Sequence, residues 1–297
     1  MLDKRFFLPH NFLGITRRYS EYRKSKFVIL PVPYEQTTSY KTGTKEGPQV
    51  IITASKQVEL YDEEIGKESY KIGICTLDDL EPAAKSPEQM IERIYEVGRK
   101  LVKDKKRVVM LGGEHTISIG MIKAYKQRYK DLSVLQLDAH ADLRDSFQGS
   151  KFSHACTMRR VREIAPAVQV GIRNVSLDEH NWIKRKRLKL HFAHKRGANW
   201  TDKVLSSLSQ NVYLTLDLDC LDPSIMPSVG TPEPGGFLWY ETLDFLKTIC
   251  SRKNIVGFDI VELCPQPGNI APDFLAAKLI YKIIGYVAYG NKTKKKI

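Results

Sequence analysis

The chain has 297 residues, 42% of them hydrophobic, and carries 47 Lys and Arg against 34 Asp and Glu for a net charge of +13. This composition supports one large α/β domain over residues 1–297, and no run approaches the roughly 20 apolar residues of a membrane span. The opening MLDKRFFLP lacks the apolar stretch of a secretory signal, so a soluble, cytoplasmic protein without a membrane partner is expected.

In chain order, residues 1–25 are rich in charge and aromatics and read as an N-terminal extension that wraps the outside or joins a subunit contact. Apolar runs then recur at 26–32, 70–76, 107–111, 133–137, 168–172, 188–193, 212–216 and 255–260. Several are near-continuous Val/Ile/Leu, the pattern of strands buried on both faces of a parallel sheet. Residues 87–102 and 117–128 between them have helical spacing, and a last helix is expected at 271–289. Alternating β and α segments without a linker or repeat predict one sheet covered on both sides.

Five cysteines (Cys75, Cys156, Cys220, Cys250, Cys264) show no CxxC pair, which argues against a disulfide framework or a zinc ribbon. The basic clusters at 184–187, at Lys189, Lys195 and Arg196, and in the tail 291–297 accompany no nucleic-acid motif, so no specific nucleic-acid partner is expected. The tail reads as a solvated end.

Three short blocks follow predicted strands: Gly112-Gly113-Glu114-His115, Asp138-Ala139-His140-Ala141-Asp142, and Leu216-Asp217-Leu218-Asp219-Cys220-Leu221-Asp222-Pro223. Open α/β sheets place their chemistry at such strand ends. Four carboxylates and two imidazoles brought together there are too costly to bury unpaired; a metal cluster explains them, and with it a metallohydrolase. The two-residue spacings put alternate side chains on one side of an extended segment. Glu114 and Asp222 read as loop braces, and His10, His180, His191 and His194 as ordinary surface or core residues.

These blocks resemble the ureohydrolase family, the arginases and agmatinases, over nearly the whole chain. VPYEQTTSY with GTKEGP (32–48), Ser153-His154-Ala155, Gly230-Thr231-Pro232-Glu233-Pro234-Gly235-Gly236 and Phe258-Asp259-Ile260-Val261-Glu262 extend the likeness, and the TPEPGG loop is of the agmatinase form. The resemblance implies a three-layer α/β fold with an eight-strand, mostly parallel sheet. It implies two Mn²⁺ per subunit, one held by His115, Asp138, Asp142 and Asp217, the other by Asp138, His140, Asp217 and Asp219. Carboxylate-rich sites with one imidazole per ion suit Mn²⁺ better than Zn²⁺. Glu262 would orient a cationic guanidino substrate, Asp142 would sit beside the reacting group, and His154 would act as acid/base or proton shuttle while urea is released.

The loop 143–152 and TPEPGG both favour agmatine, giving putrescine and urea as in polyamine biosynthesis. N1-aminopropylagmatine, 4-guanidinobutyrate and arginine are the alternatives, and a basic binding protein without turnover is a more distant one. Arg144 either repels a cationic tail or pairs with Asp145. Where the family carries an arginine after Gly47-Pro48, this chain has Val50-Ile51-Ile52, which bears on a helix or subunit contact rather than on the chemistry. A homo-oligomer, trimer or hexamer, is expected from the family.

Overall fold

The computed structural model describes residues 6–290, so the tail expectation for 291–297 lies outside the described residues. The strands are β1 (Phe27–Val32), β2 (Ile74–Thr76), β3 (Arg107–Gly112), β4 (Ser133–Leu137), β5 (Ala167–Ile172), β6 (Leu190–Phe192), β7 (Asn211–Asp217) and β8 (Asn254–Val261). They form one eight-stranded sheet in the order β2-β1-β3-β8-β7-β4-β5-β6. Every pairing is parallel. The described helices are α1 (Arg17–Ser20), α2 (Gly47–Ser55), α3 (Pro87–Lys103), α4 (Ser118–Arg128), α5 (Thr157–Ile164), α6 (Leu177–Lys186), α7 (Trp200–Ser207), α8 (Trp239–Arg252) and α9 (Ala271–Tyr289).

Alternate strand residues feed two separate cores. Phe27, Ile29, Val109, Leu111, Leu214 and Leu216 pack on the side of α2, α7, α8 and α9. Val28, Leu30, Val108, Met110, Val134 and Tyr213 pack on the side of α3, α4, α5 and α6. The strands are therefore apolar on both faces, and each buried Ile, Leu or Val contributes about 1.5–3 kcal/mol relative to exposure. The Val50-Ile51-Ile52 departure has a local reason: Ile51 and Ile52 are buried, and α2 packs on α9. Within the expected N-terminal extension, Phe12, Leu13 and Ile15 belong to this core, and Phe12 and Leu13 donate their N–H groups to Thr76 and Ser55.

Two strands are shorter than the apolar runs suggest. Residues 69–72 form a 3-10 turn, and Gly73 takes a φ of +90° before β2 begins. A Cβ at Gly73 would lie 2.8 Å from the Ser25 backbone, so the chain turns where only glycine fits. The left-handed Arg187 ends α6, whose last turn holds Lys184, Arg185 and Lys186. Those cations complement the helix C-terminus, a structural account of part of the basic run.

Lys282 on α9 is almost fully buried, with Nζ 2.8 Å from Asp62 Oδ1 and 3.2 Å from Glu64 Oε2. Tyr286 and Lys247 also donate to Glu64, at 2.6 and 2.8 Å. Burial pushes the Glu64 carboxyl up, but the bonds from Lys247, Tyr286 and Lys282 outweigh it and hold the group down at about 2. A depressed acid stabilises the fold above its unfolded value near 4.5 and loses that contribution as pH falls toward 2. Glu64→Gln should therefore flatten the acid limb of the stability curve between pH about 4.5 and 2, read by denaturant unfolding across that range.

Candidate metal centre

The central strands β3, β8, β7 and β4 are neighbours, and their C-terminal ends deliver His115, Glu262, Asp217 with Asp219, and Asp138 through Asp142 to one cleft. At the end of β3, Gly113 lies so close to the chain at Tyr34 that a Cβ would sit 2.0 Å from the Tyr34 carbonyl oxygen. This close approach sends the next two side chains in different directions. Glu114, fully buried, accepts from the Gln36 and Thr37 N–H groups at 2.6 Å and from the Thr37 hydroxyl at 2.8 Å. Its brace role holds. His115 enters the cleft, and its N–H donates to Glu262 Oε1 at 2.7 Å.

The ligand loops hold one another. The N–H groups of His140, Ala139 and Asp219 donate to Asp138 Oδ1 (2.6 Å), Asp219 Oδ1 (2.9 Å) and Asp217 Oδ1 (2.9 Å). Asp142 and Glu262 adopt left-handed backbone, with φ of +54° and +67°. Non-glycine residues there carry about 1–3 kcal/mol of strain that the surroundings must offset. Asp222 accepts from the Ser224, Gly235 and Gly236 N–H groups, so it braces loops as expected.

His115 identifies where a cation belongs. Its Nε2 lies 2.8 Å from the Thr215 hydroxyl, which in turn donates to Asp259 Oδ1 at 2.7 Å; Tyr213 donates to the other oxygen of Asp259. Thr215 therefore accepts from an Nε2–H, and the Nδ1 lone pair is left facing the cleft. Nδ1 is fully buried and has no hydrogen-bond partner. Yet the carboxylates of Asp142, Asp138 and Asp217 lie 3.1, 3.2 and 3.5 Å from it. An unpartnered lone pair ringed by carboxylate oxygens fits a bound metal ion. His115, Asp138 and Asp142 can share one ion; Asp138, His140 and Asp219 can share a second, with His140 Nδ1 2.8 Å from Asp219 Oδ2. Asp138 is common to both groups, and Asp217 stands beside the first.

Electrostatics say the same. Burial, then the charges of Asp219 and Asp142, push the Asp138 carboxyl up to about 8. Asp217 and Glu262 are also pushed well up, chiefly by burial, with Asp219 and Glu114 respectively adding to it. His140 is raised to about 11 because Asp219 outweighs its burial. His115 is raised too, against its burial, by Asp138, Asp142 and Asp217, and Asp219 is held down to about 2 because its pairing with His140 outweighs burial. The cluster as a whole carries an excess of negative charge that divalent ions would offset.

Above the carboxylates the cleft encloses about 160 Å³ and is lined by Ser39, Tyr40, Arg144, His154, Asn174 and Thr231, among others. His154 Nδ1 lies 3.3 Å from the Thr37 hydroxyl and Nε2 3.3 Å from Ser39 Oγ. Thr37 donates to Glu114 and accepts from the His154 backbone N–H at 3.0 Å, Ser153 Oγ lies 3.4 Å from Nδ1, and Nε2 faces Ser39. Of the two readings of Arg144, the pair with Asp145 does not form. The Arg144 guanidinium sits 4.8 Å over the Phe147 ring, while Asp145 pairs with Arg160 at 2.7 Å and Arg159 at 3.5 Å. The five cysteines are all free and buried.

Sequence reasoning missed the Thr215–Asp259 support, since Asp259 sits inside an apolar run and only strand register sets it opposite Thr215. It also missed Arg173, which donates to the carbonyls of Asp219 (2.6 Å), Glu233 (2.8 Å) and Pro234 (3.0 Å). A lone arginine after a strand gives no signal for such a clamp.

The chain matches the model of the Arginase family over residues 25–285. It belongs to the arginase family. Among its relatives, the N(1)-aminopropylagmatine ureohydrolase of Synechocystis sp. is 38% identical, the match covering 97% of each chain. The enzyme of the same name from Thermus thermophilus is 38% identical over 89% of this chain and 91% of that one. An agmatinase of Pyrococcus horikoshii is 32% identical over 90% and 93%. The crystal structure of agmatine ureohydrolase of Thermoplasma volcanium superposes with a TM-score of 0.88 at 29% identity, over 99% of both chains. The chain is thus a ureohydrolase acting on guanidino groups, on the sheet its fold class predicts. Thr215→Val should cost this ureohydrolase about 10- to 100-fold in divalent-metal affinity by freeing the His115 ring, measured by calorimetric titration of the metal-free protein.

Proposed function

We propose that this ureohydrolase removes urea from N1-aminopropylagmatine, with agmatine as the shorter substrate of the same site. The observation that carries the chemistry is the buried His115 Nδ1 facing three carboxylates. The substrate reading rests on the relatives bearing that name at 38% identity; agmatine is favoured by the TPEPGG loop and by the agmatinase at 32%. His115, Asp138, Asp142 and Asp217 would hold one Mn²⁺, and Asp138, His140, Asp217 and Asp219 the other. Bound there, the two ions would supply Lewis acidity that brings a water toward hydroxide at neutral pH.

The rest falls to side chains of this chain. The Asp142 carboxylate lines the cleft and would lie beside the reacting carbon. Glu262 keeps Oε1 on the His115 N–H, leaving Oε2 to pair with the guanidinium. His154 would take up a proton on Nε2, through Ser39 and the solvent beyond it, and then hand that proton from Nε2 to the departing amine. The Arg144 guanidinium stands at the mouth, so a polyamine tail would leave on the side of Asn174 and Glu233, where Asn174 donates to the Glu233 carboxylate.

Two measurements test this. Urea release from N1-aminopropylagmatine, agmatine, 4-guanidinobutyrate and arginine, side by side with Mn²⁺, should show the highest kcat/KM for the first; a preference for the butyrate would overturn the tail reading, and no urea from any would overturn the activity. Glu262→Gln should raise KM about 10- to 100-fold, as losing a hydrogen bond to a charged group does, while both ions stay bound in metal analysis.

A further inference from the structure

Beneath the centre, Gln136 of β4 and Gln169 of β5 stand directly opposite in register, both fully buried. Two amides inside an apolar sheet are costly unless every polar atom is paired. Here they are. Gln136 Nε2 donates to Asp138 Oδ2 at 2.6 Å, and Gln136 Oε1 accepts from Gln169 Nε2 at 2.6 Å. Gln169 Nε2 also donates to the Ala141 carbonyl at 2.7 Å. Gln169 Oε1 accepts from Arg162 Nε and Nη2 of α5, at 3.2 and 3.0 Å.

The direction of this chain is set from its far end. An arginine only donates, so Gln169 must turn its oxygen to Arg162 and its nitrogen to Gln136. Gln136 must then turn its oxygen to Gln169 and its nitrogen to Asp138. Burial lowers Arg162 to about 10, which leaves it a cation at neutral pH. Its charge polarises two amides in series toward a carboxylate. Asp138 thus has one fixed donor on each oxygen, Gln136 on Oδ2 and the His140 N–H on Oδ1. The carboxylate plane is set, and its remaining lone pairs face the two groups that share it.

We propose that Arg162, Gln169 and Gln136 are positioning residues that act as one relay, presetting Asp138 as the ligand shared between two metal ions. The inference rests on the binuclear reading of the site. The test is calorimetric titration of Mn²⁺ into the metal-free full-length protein, with thermal unfolding and circular dichroism alongside. Wild type should bind two ions. Gln136→Met, Gln169→Met and Arg162→Met should each bind Mn²⁺ at least about 10-fold more weakly, with the secondary structure of wild type. Arg162 lies at the outer end of the relay, so its variant stays informative if the central ones fold poorly. Because the relay acts as a unit, Arg162→Met combined with Gln169→Met should bind no more weakly than Gln169→Met alone. Wild-type affinity in Arg162→Met, or losses that simply add in the double variant, would overturn the relay while wild type still bound two ions. A wild type that bound none would overturn the relay and the metal reading together.

Discussion

Everything at the carboxyl edge of this sheet answers to one constraint, the crowding of like charge. Asp138, Asp142, Asp217, Asp219 and Glu262 converge from neighbouring strands on a cleft floor where His115 and His140 stand among them, while His154, Lys41 and Arg144 also line the cleft. Water screens them little, since all five are buried except where they meet the cleft. The protein does not relieve this with lysine or arginine in the centre. Backbone N–H groups donate to Asp138, Asp217, Asp219 and Glu262, and the Gln136 amide to Asp138. Such an arrangement suits a multivalent cation, and the same excess of negative charge suits a guanidinium beside it.

The fold serves that constraint through strand order. β3, β8, β7 and β4 are scattered in sequence but adjacent in the sheet, so candidate ligands some hundred positions apart arrive within a few ångströms. Each strand is buried on both faces, which fixes its register and so fixes where its last residue lands. The irregularity in the β7–β8 pairing near Gly257, where the Tyr125 ring takes the place of a side chain, precedes Asp259 and lets it stand opposite Thr215.

Much of this was legible beforehand, for identifiable reasons. Asp138, His140 and Asp142 stand out because three ligand-type residues follow an apolar run directly, although the extended segment expected there is a turn. Asp142 is left-handed and Asp138 accepts from the His140 N–H, just as Asp219 lies in a 3-10 turn after Asp217. The eight runs of Val, Ile and Leu were readable because a parallel sheet hides both faces. What stayed illegible depends on partners distant in sequence. Asp259 looks like a polar interruption of β8, Gln136 like one of β4, and neither shows its partner until the strands are in register. The two readings of Arg144 could not be separated from sequence because adjacent residues need not face each other; Asp145 pairs instead with Arg160 of α5.

The Arg173 clamp has a consequence for how the enzyme can change. Its guanidinium ties the carbonyl of Asp219, in the ligand loop, to those of Glu233 and Pro234, in the loop beside the cleft mouth. Metal loop and mouth loop are therefore one mechanical body. A shift in the mouth loop to admit a longer or differently charged tail is transmitted to Asp219, so a lineage altering its substrate through residues 230–236 meets selection on its metal affinity at the same step.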